Sequence, residues 1–313
     1  MGSPAFAVPP FQALVAAGYH IPLVISQPDK PKGRKGVLTP TAVKEAALSC
    51  NIPVITPQNV NDAEVLAQIK ALQPDLLVVT AFGQILKKPL LTIAPAGAVN
   101  IHASLLPLYR GAAPIHQAIM DGQTRTGITT MFMDAGLDTG DMILQEGLEI
   151  LPEDNTGTVQ EKLAAIGAQL ILETVALIQD GIAPRQPQDH EKSTYAKKIL
   201  REQEQIDWQQ PMLTIHNQIR ALAPEIGAYA YYQEKGVRKV MKFWHSALTT
   251  ETTTSPPGTI IGFDKQSIFV ACGDGKVLQI LALQPAGKGK MRAIDWWRGQ
   301  QKNYQEESFL FTR

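Results

Sequence analysis

The chain has 313 residues, of which 44% are hydrophobic, so it is long enough for two domains of ordinary size with real cores. Lys and Arg together number 29, as do Asp and Glu; this zero net charge argues against a surface that is basic all over, so any nucleic-acid site must be a local patch. The two cysteines, Cys50 and Cys272, are too few for a disulfide scaffold and have no metal-ligand spacing.

The first half of the chain alternates between helical and strand patterns. Residues 75–80, a nearly continuous apolar run, are typical of a strand that is covered on both faces. Such alternation predicts a doubly wound α/β sheet with helices on both faces. The predicted strands are 22–26, 75–80, 98–101 and 128–133; the predicted helices are 9–17, 41–51, 62–72 and one that begins at Thr158 and ends before Gly181.

The start of the chain is unusual for a sheet of this kind. A β/α domain normally opens with a strand, whereas residues 1–4 already lead into the first helix. In doubly wound sheets the opening strand is usually central. We therefore expect the first strand to be missing and the native chain to start several residues upstream of Met1.

The pattern changes after Gly181. Residues 183–204 are polar, contain Pro184 and Pro187, and predict a linker between domains 1–182 and 205–313. Beyond the linker, one helix precedes short strand-like runs, and Asp274-Gly275 is a strong hairpin signal. These runs predict a small, mostly antiparallel barrel or sandwich. The helix is 212–223, and the runs are 228–232, 237–244, 258–261, 267–271 and 277–283.

Two polar side chains lie at the end of a predicted strand, in the segment AVNIHASLLPLYRGAAP (98–114). The two-residue period of a strand places Asn100 and His102 on one side of the sheet and Ile101 on the other. Ligands of open α/β sheets bind at the C-terminal ends of strands. A second loop, DAGLDTGD (134–141), also follows a strand, and its glycines let Asp138 approach a partner closely.

An amide, an imidazole and a carboxylate together suit the transfer of an acyl group to an amine. The Asn100 amide and a protonated His102 ring can donate hydrogen bonds to the carbonyl oxygen that becomes negative. Asp138 can stabilise the imidazolium and help to remove the proton that the amine loses. This chemistry requires neither a nucleophilic side chain nor a metal.

Simpler interpretations of these motifs stay open. The Asn-x-His pair can be structural, with the asparagine capping a turn and the histidine bonded to a carbonyl. DAGLDTGD can be an Asx-rich turn; a Ca²⁺ loop is disfavoured because the Asp-x-Asp-x-Asp-Gly order and the terminal Glu are absent. The glycine-rich motifs of dinucleotide and nucleoside-triphosphate enzymes are also absent from the sequence.

These segments resemble the folate-dependent formyltransferases, and within them the enzymes that act on methionyl initiator tRNA. The strongest resemblance lies in NIHASLLPLYRGAAPIHQAI and LDTGDMIL. It extends over nearly the whole chain, because GSPAFAV, QPDKPKGR, TAFGQIL, TYAKKI, IDW, PGTI and LQPAGKGKM follow in that family's order. The resemblance implies a formyltransferase-type sheet domain followed by a small OB-like β-barrel domain.

The resemblance also implies the substrates and the residues that bind them. The donor would be 10-formyltetrahydrofolate, the acceptor would be the amino group of methionyl initiator tRNA, and the catalytic residues would be Asn100, His102 and Asp138. A flat pteridine suits an apolar slot, although two of the pocket residues, Ile85 and Leu86, could equally be ordinary core. The implied folate pocket consists of Phe82, Gly83, Ile85, Leu86, Ser104, Leu105, Leu106 and Pro107.

Two groups of basic residues are candidates for tRNA contacts. QPDKPKGRKG resembles the family's tRNA-contacting loop, and the OB-like domain is a fold suited to nucleic acids. Either group could instead be a solvated charged surface. The loop contributes Lys30, Lys32, Arg34 and Lys35; the C-terminal domain contributes Lys288, Lys290, Arg292 and Arg298.

Two other functions compete with this one. A sugar N-formyltransferase would share the donor and the active site but act on the amine of a nucleotide sugar; a non-catalytic tRNA-binding protein would keep the three residues only as structure. The OB-like domain and the basic loop favour tRNA. We expect a monomer without a metal. We also expect it in the cytoplasm, because no apolar run spans a membrane and no basic residue precedes Lys30 as in a signal peptide.

Overall fold

The computed structural model describes residues 1–32, 36–234, 236–300 and 309–313. Its chain divides into two compact units. The sheet unit comprises Met1–Pro114, Arg125–Leu148 and Gln160–Ala196, and the barrel unit comprises Ile115–Thr124, Glu149–Val159 and Lys197–Arg313.

The elements up to Ala196 alternate largely as predicted, with short strands between helices. The strands are β1 (Val24–Ile25), β2 (Lys30–Lys32), β3 (Val37–Thr39), β4 (Val54–Ile55), β5 (Leu77–Val79), β6 (Ala98–His102), β7 (Arg110–Gly111), β8 (Arg125–Phe132), β9 (Met142–Glu149) and β10 (Tyr195–Ala196). The helices are α1 (Val8–Ala16), α2 (Ala42–Ser49), α3 (Ala63–Ala71), α4 (Lys88–Leu91), α5 (Pro114–Met120) and α6 (Thr156–Gln179).

The central sheet runs β5-β6-β8-β9, with β6 parallel to β5 and antiparallel to β8. β1 pairs in parallel with β4. Met1 and Gly2 lie between β1 and β5: the Gly2 amide donates to the Ile25 carbonyl at 3.1 Å, and the Thr80 amide donates to the Met1 carbonyl at 2.9 Å. This arrangement of parallel strands and helices confirms the predicted α/β class.

The strand β5 is covered on both faces, as its continuous apolar run predicts. Leu77 and Val79 belong to one buried cluster, whereas Val78 packs against another cluster that contains Val99. Alternate side chains of a strand point to opposite faces, so this division places apolar layers on both sides of the sheet.

The helix α6 begins two residues earlier than predicted. Asn155 caps it: the Asn155 Oδ1 accepts from the Thr158 amide, and the Asn155 amide donates to the Thr158 Oγ1, both at 3.1 Å. Thr158 therefore fills the third helical position of a reciprocal cap, and the predicted start at Thr158 is wrong.

Part of the predicted linker is packed within the sheet unit. The strand β10 pairs in parallel with β7, and the Gln188 side chain is buried. Residues from Lys197 onward belong to the barrel unit.

The remaining elements form an antiparallel sheet with flanking helices, which confirms the predicted fold of the C-terminal region. The sheet order is β11-β12-β15-β14-β13, with β16 paired to β15. Ala271 pairs with Val277 across the predicted Asp274-Gly275 turn. The elements are α7 (Arg201–Glu204), α8 (Met212–Leu222), β11 (Ala228–Glu234), β12 (Val237–Thr252), β13 (Ile260–Phe263), β14 (Ile268–Ala271), β15 (Lys276–Pro285), β16 (Met291–Arg292) and α9 (Ala293–Gln300).

Residues 309–313 close this sheet into a barrel. Leu310 forms an antiparallel bridge with Thr259 beside β13, and Thr312 forms one with Tyr231 in β11. These five residues, which we call the closing segment, thus join the two end strands of the sheet. The sequence analysis did not predict the closing segment or α9.

Candidate active site

The strand β6 presents the two predicted polar residues at its C-terminal end. Because β5 and β6 are parallel neighbours, the loops that follow them emerge at the same edge of the sheet. Val79 pairs with Asn100, and His102 pairs with Thr129 of β8. Ile101 between them is buried, in agreement with the predicted alternation.

The structure brings the three predicted catalytic side chains together. The Asn100 amide donates to the Asp138 Oδ1 at 3.4 Å, and the His102 Nδ1 lies 3.7 Å from the Asp138 Oδ2. The side chains of His102 and Asp138 are only 6% and 13% exposed. Solvent therefore screens the electrostatic interaction between these two side chains only weakly.

The His102 ring has a hydrogen bond at one nitrogen and faces a carboxylate with the other. Its Nε2 lies 2.9 Å from the Tyr109 carbonyl oxygen, to which it can only donate, and its Nδ1 faces the Asp138 carboxylate. Both neighbours are hydrogen-bond acceptors, but only the Tyr109 carbonyl lies within hydrogen-bond distance of the ring.

Asp138 is fixed by backbone contacts as well as by its partners in the site. The Gly111 amide donates to its Oδ2 at 2.8 Å. Gly111 has φ +115°, and a Cβ there would lie 2.7 Å from the Ala196 carbonyl oxygen, so only glycine fits. Asp138 itself has φ +51°, an uncommon conformation for a residue with a side chain.

The loop after β5 holds the first part of the predicted folate pocket. The Phe82 carbonyl accepts from Ser3 Oγ at 3.3 Å and from Gln27 Nε2 at 3.1 Å. Leu86 is buried in the core of the sheet unit, whereas Ile85 is 83% exposed. The alternative of ordinary core packing thus describes Leu86 but not Ile85. Gly83, with φ +85°, lets the backbone turn between Phe82 and Ile85.

The loop after β6 holds the second part of that pocket. The Ser104 hydroxyl donates to the Leu108 carbonyl at 2.6 Å, and the Leu106 amide donates to the Thr129 Oγ1 at 3.1 Å. Leu106 is buried against Met131 and Met142, and its bond to Pro107 is cis. Leu105 and Pro107 are half-buried.

Several residues of this region were not predicted. Tyr109 and Gly111 belong to the quoted motif but received no role, although they contact His102 and Asp138 through their backbones. Thr129 and Gln145 support the loop after β6, because the Gln145 Nε2 donates to the Leu106 carbonyl at 2.8 Å. A sequence gives no signal for such contacts, since a backbone group carries no residue identity.

The predicted tRNA-contacting residues lie on both units. Lys30 is exposed in β2, which pairs with β3; Lys32 ends β2; Arg34 and Lys35 lie outside the described residues. In the barrel unit, Lys288, Lys290, Arg292 and Arg298 are exposed.

Two of the barrel cations have defined neighbours. The Lys290 ammonium lies 5.5 Å from the centre of the Trp244 ring, as does that of Lys242. Arg292 forms two hydrogen bonds of 2.8 Å with Asp295.

Metal ligation and membrane insertion find no support in the part of the chain that the structure describes. No group of three His, Cys, Asp or Glu side chains is arranged to hold a metal there. No helix within those ranges has the length and apolarity that crossing a bilayer requires.

Comparison with known proteins gives matches along nearly the entire chain. A family described as Formyl transferase matches residues 7–175, and one described as Formyl transferase, C-terminal domain, matches residues 198–301. A methionyl-tRNA formyltransferase of Enterococcus faecalis is 44% identical over 98% of this chain and 97% of its own. One of Bacillus subtilis is 46% identical over 96% and 93% of the two chains.

Solved structures share the fold at lower identity. A sugar 3N-formyl transferase, solved in the presence of dTDP and 5-N-formyl-THF, has a TM-score of 0.65 at 19% identity and covers 92% of this chain and 97% of its own. HypX from Aquifex aeolicus, in complex with tetrahydrofolic acid, has a TM-score of 0.61 at 16% identity and covers 85% and 47%. At these identities the likeness concerns the fold alone.

Proposed function

Because the chain belongs to the formyl transferase family, we propose that it transfers the formyl group of 10-formyltetrahydrofolate to the amino group of methionyl initiator tRNA. The observation that carries this proposal is the convergence of Asn100, His102 and Asp138 at the end of β6. The choice of acceptor is supported by relatives of 44% and 46% identity that bear the name methionyl-tRNA formyltransferase.

The three residues supply what direct attack by an amine requires. The amine nitrogen forms a bond to the formyl carbon, and the bond from that carbon to the carrier nitrogen breaks. The Asn100 amide and the His102 Nδ1, which at 3.7 Å forms no hydrogen bond with the Asp138 carboxylate, donate to the formyl oxygen while it is negative, which lowers the barrier. Asp138 accepts the proton that the amine loses, directly or through a water, and this proton passes on to the carrier nitrogen as it leaves, which restores the carboxylate.

The donor would bind at the sheet edge where the loops after β5 and β6 emerge. Ile85, exposed at 83%, and the half-buried Leu105 and Pro107 offer apolar surface to a flat ring. Buried Leu86, Leu106 and Phe82 would support that surface from below rather than contact the ring. The hydrogen bonds of Ser104, Thr129 and Gln145 keep the loop after β6 in place.

The acceptor would be bound through phosphates and bases by two groups of basic residues. The sheet unit contributes the loop residues Lys30, Lys32, Arg34 and Lys35, and the barrel unit contributes Lys288, Lys290 and Arg292. In the barrel unit, Trp244 places an aromatic ring between the ammonium groups of Lys242 and Lys290. We place the enzyme in the cytoplasm as a monomer.

A formylation assay separates this proposal from its competitors. The protein is mixed with 10-formyltetrahydrofolate and, in parallel, with initiator Met-tRNA, elongator Met-tRNA or an amino sugar nucleotide. We expect formylmethionyl-tRNA, with the initiator preferred. Formylation of the sugar amine alone would make the protein a sugar N-formyltransferase. Filter retention of tRNA without formylation of any acceptor would make it a tRNA-binding protein.

A further inference from the structure

Arg110 is a buried cation without an acidic partner. It is 1% exposed, and within the described ranges no carboxylate forms an ion pair with it. Instead, its Nε and Nη2 donate to the Gln188 Oε1 at 3.1 and 2.8 Å, and its Nη2 lies 3.1 Å from the His190 Nδ1. A cation buried on neutral acceptors is costly, so its place in the fold requires a reason.

The guanidinium determines which way the Gln188 amide points. Arginine has only donors, so the amide must turn its oxygen toward Arg110. The Gln188 Nε2 then faces the opposite side, where it donates to the carbonyl oxygens of Asp138 at 2.9 Å and Gly140 at 2.8 Å. Both hydrogens of the amide group are used, so the orientation has no freedom left.

Asp138 is held at its backbone and at its side chain. Gln188 holds the backbone of Asp138 in its left-handed conformation, which is uncommon for a residue with a side chain. The residue after Arg110, Gly111, donates its amide to the Asp138 carboxylate at 2.8 Å. The strand β7 therefore holds the carboxylate directly and the backbone through Gln188.

We propose that Arg110 and Gln188 are positioning residues for formyl transfer, which set the Asp138 carboxylate against Asn100 and His102. This inference rests on the proposed function, because it gives Asp138 a role in the reaction. A displacement of about 1 Å at a reacting group can cost on the order of 100-fold in rate, so residues that touch no substrate can matter this much.

Gln188→Glu tests the inference, because it replaces only the terminal NH₂ group of the side chain with an oxygen. The carboxylate still accepts from Arg110, now as an ion pair, but it loses both donors and turns an oxygen toward the carbonyls of Asp138 and Gly140. We expect kcat to fall by about 10- to 100-fold, while KM for both substrates stays within about twofold. The thermal midpoint should stay within a few degrees, because Arg110 keeps its partner.

Gln186→Glu is the matched control. It makes the same substitution two residues earlier, on an exposed side chain, and its backbone pairing with Met142 is unaffected. We expect unchanged kcat and KM. Equal losses in the two variants would overturn the inference, because they would reflect added charge rather than the lost donors.

A double-mutant cycle with Asp138→Asn asks whether Gln188 acts through Asp138. In single-turnover assays, the loss caused by Gln188→Glu should shrink to less than about twofold in the Asp138→Asn background. If Gln188→Glu lowers turnover by the same factor in both backgrounds, the inference is overturned. It is also overturned if Gln188→Glu keeps full turnover while Asp138→Asn is impaired. Either result leaves the proposed function intact. Full turnover in Asp138→Asn overturns the inference together with the role given to Asp138, whereas only a lack of formylation by the wild type overturns the proposed function.

A second variant keeps the test decisive if Gln188→Glu does not fold. Arg110→Met combined with Gln188→Met replaces both polar partners with apolar groups of similar size, which is far less disruptive than removing one of them. The folded double variant should lose turnover to a similar extent. Normal turnover in that variant would overturn the inference.

Discussion

The two units of the molecule build their interiors from different chemistry. At the candidate active site of the sheet unit, five polar side chains are buried beside apolar ones, and each is at most 6% exposed: His102, Ser104, Arg110, Thr129 and Gln188. The core of the barrel unit is apolar and rich in aromatic rings, and its cations lie outside. Buried hydrogen bonds fix the positions of individual polar atoms. An apolar core fixes the packing of the domain, so residues that bind a partner must lie on its surface.

The aromatic core of the barrel should give the largest effect on stability. Phe311 is 1% exposed, and its ring lies 5.1 Å from that of Phe243 and 5.3 Å from that of Phe309. Phe311→Ala should lower the free energy of unfolding by about 3–5 kcal/mol, since it leaves a cavity. Urea denaturation followed by tryptophan fluorescence measures it. The neighbouring Leu310→Ala, on a side chain that is 43% exposed, should cost well under half as much; equal losses would contradict a core role for Phe311.

Substitutions among the buried polar residues of the active site should change activity more than stability. His102→Ala removes a donor to the negative oxygen and should lower kcat by at least about 100-fold, or roughly 2.7 kcal/mol, with little change in the thermal midpoint. Steady-state formylation kinetics and thermal melting measure both quantities. His20→Ala, on an exposed ring, is the control. Near-normal turnover in His102→Ala would refute its catalytic role.

The barrel unit also buries polar groups, and one of them, His216, should give a pH-dependent stability. Burial, with the nearby Arg220, lowers the pKa of His216 to about 4, and its Nδ1 lies 3.0 Å from the Ser246 Oγ. In the unfolded chain its pKa is about 6.5. The unfolded state therefore binds the extra proton first, so stability is fully present above about pH 6.5 and falls by up to ~1.4 kcal/mol per pH unit toward pH 4.

Thermal melts between pH 4.5 and 7.5 test this pair. His216→Gln, which keeps a hydrogen-bonding group without a titrating one, should flatten the dependence. An identical pH slope in the wild type and in His216→Gln would show that another group is responsible.

The smallest effect is expected at the surface of the barrel. Lys290→Ala removes one exposed ammonium beside Trp244 and should weaken tRNA binding about threefold, while the slope of log affinity against log salt falls by roughly one. Filter binding at several salt concentrations measures both. Lys265→Ala, on the turn between β13 and β14, is a control of equal charge. Unchanged affinity in Lys290→Ala and Arg34→Ala alike would argue against the basic surface as a tRNA site.

Of the residues at the candidate active site, the sequence predicted those that belong to a local pattern and missed those held by distant contacts. Asn100 and His102 were found because the period of a strand is local, and Asp138 because its loop directly follows a strand. Gln188 was missed because it lies in a polar, proline-containing segment without periodicity, and its partner Arg110 is 78 residues away. A hydrogen bond between distant residues leaves no trace in local composition.

The barrel was predicted from its strands, but its closure was not. Phe309 and Phe311 alternate with exposed residues as in a half-buried strand, yet the run is too short to stand out. Similarly, α9 is recognisable only from the burial of Trp296 and Trp297 against the core.

The closing segment has a consequence for how the barrel forms. It pairs with Tyr231 of the first barrel strand and with Thr259 beside β13, so the outermost contacts join residues that are distant in sequence. Such pairings raise the contact order of the fold. They slow folding because the chain loses entropy before the contacts form. Until residues 309–313 are in place, two strand edges stay open to other chains, and the nascent barrel is at its most prone to aggregate.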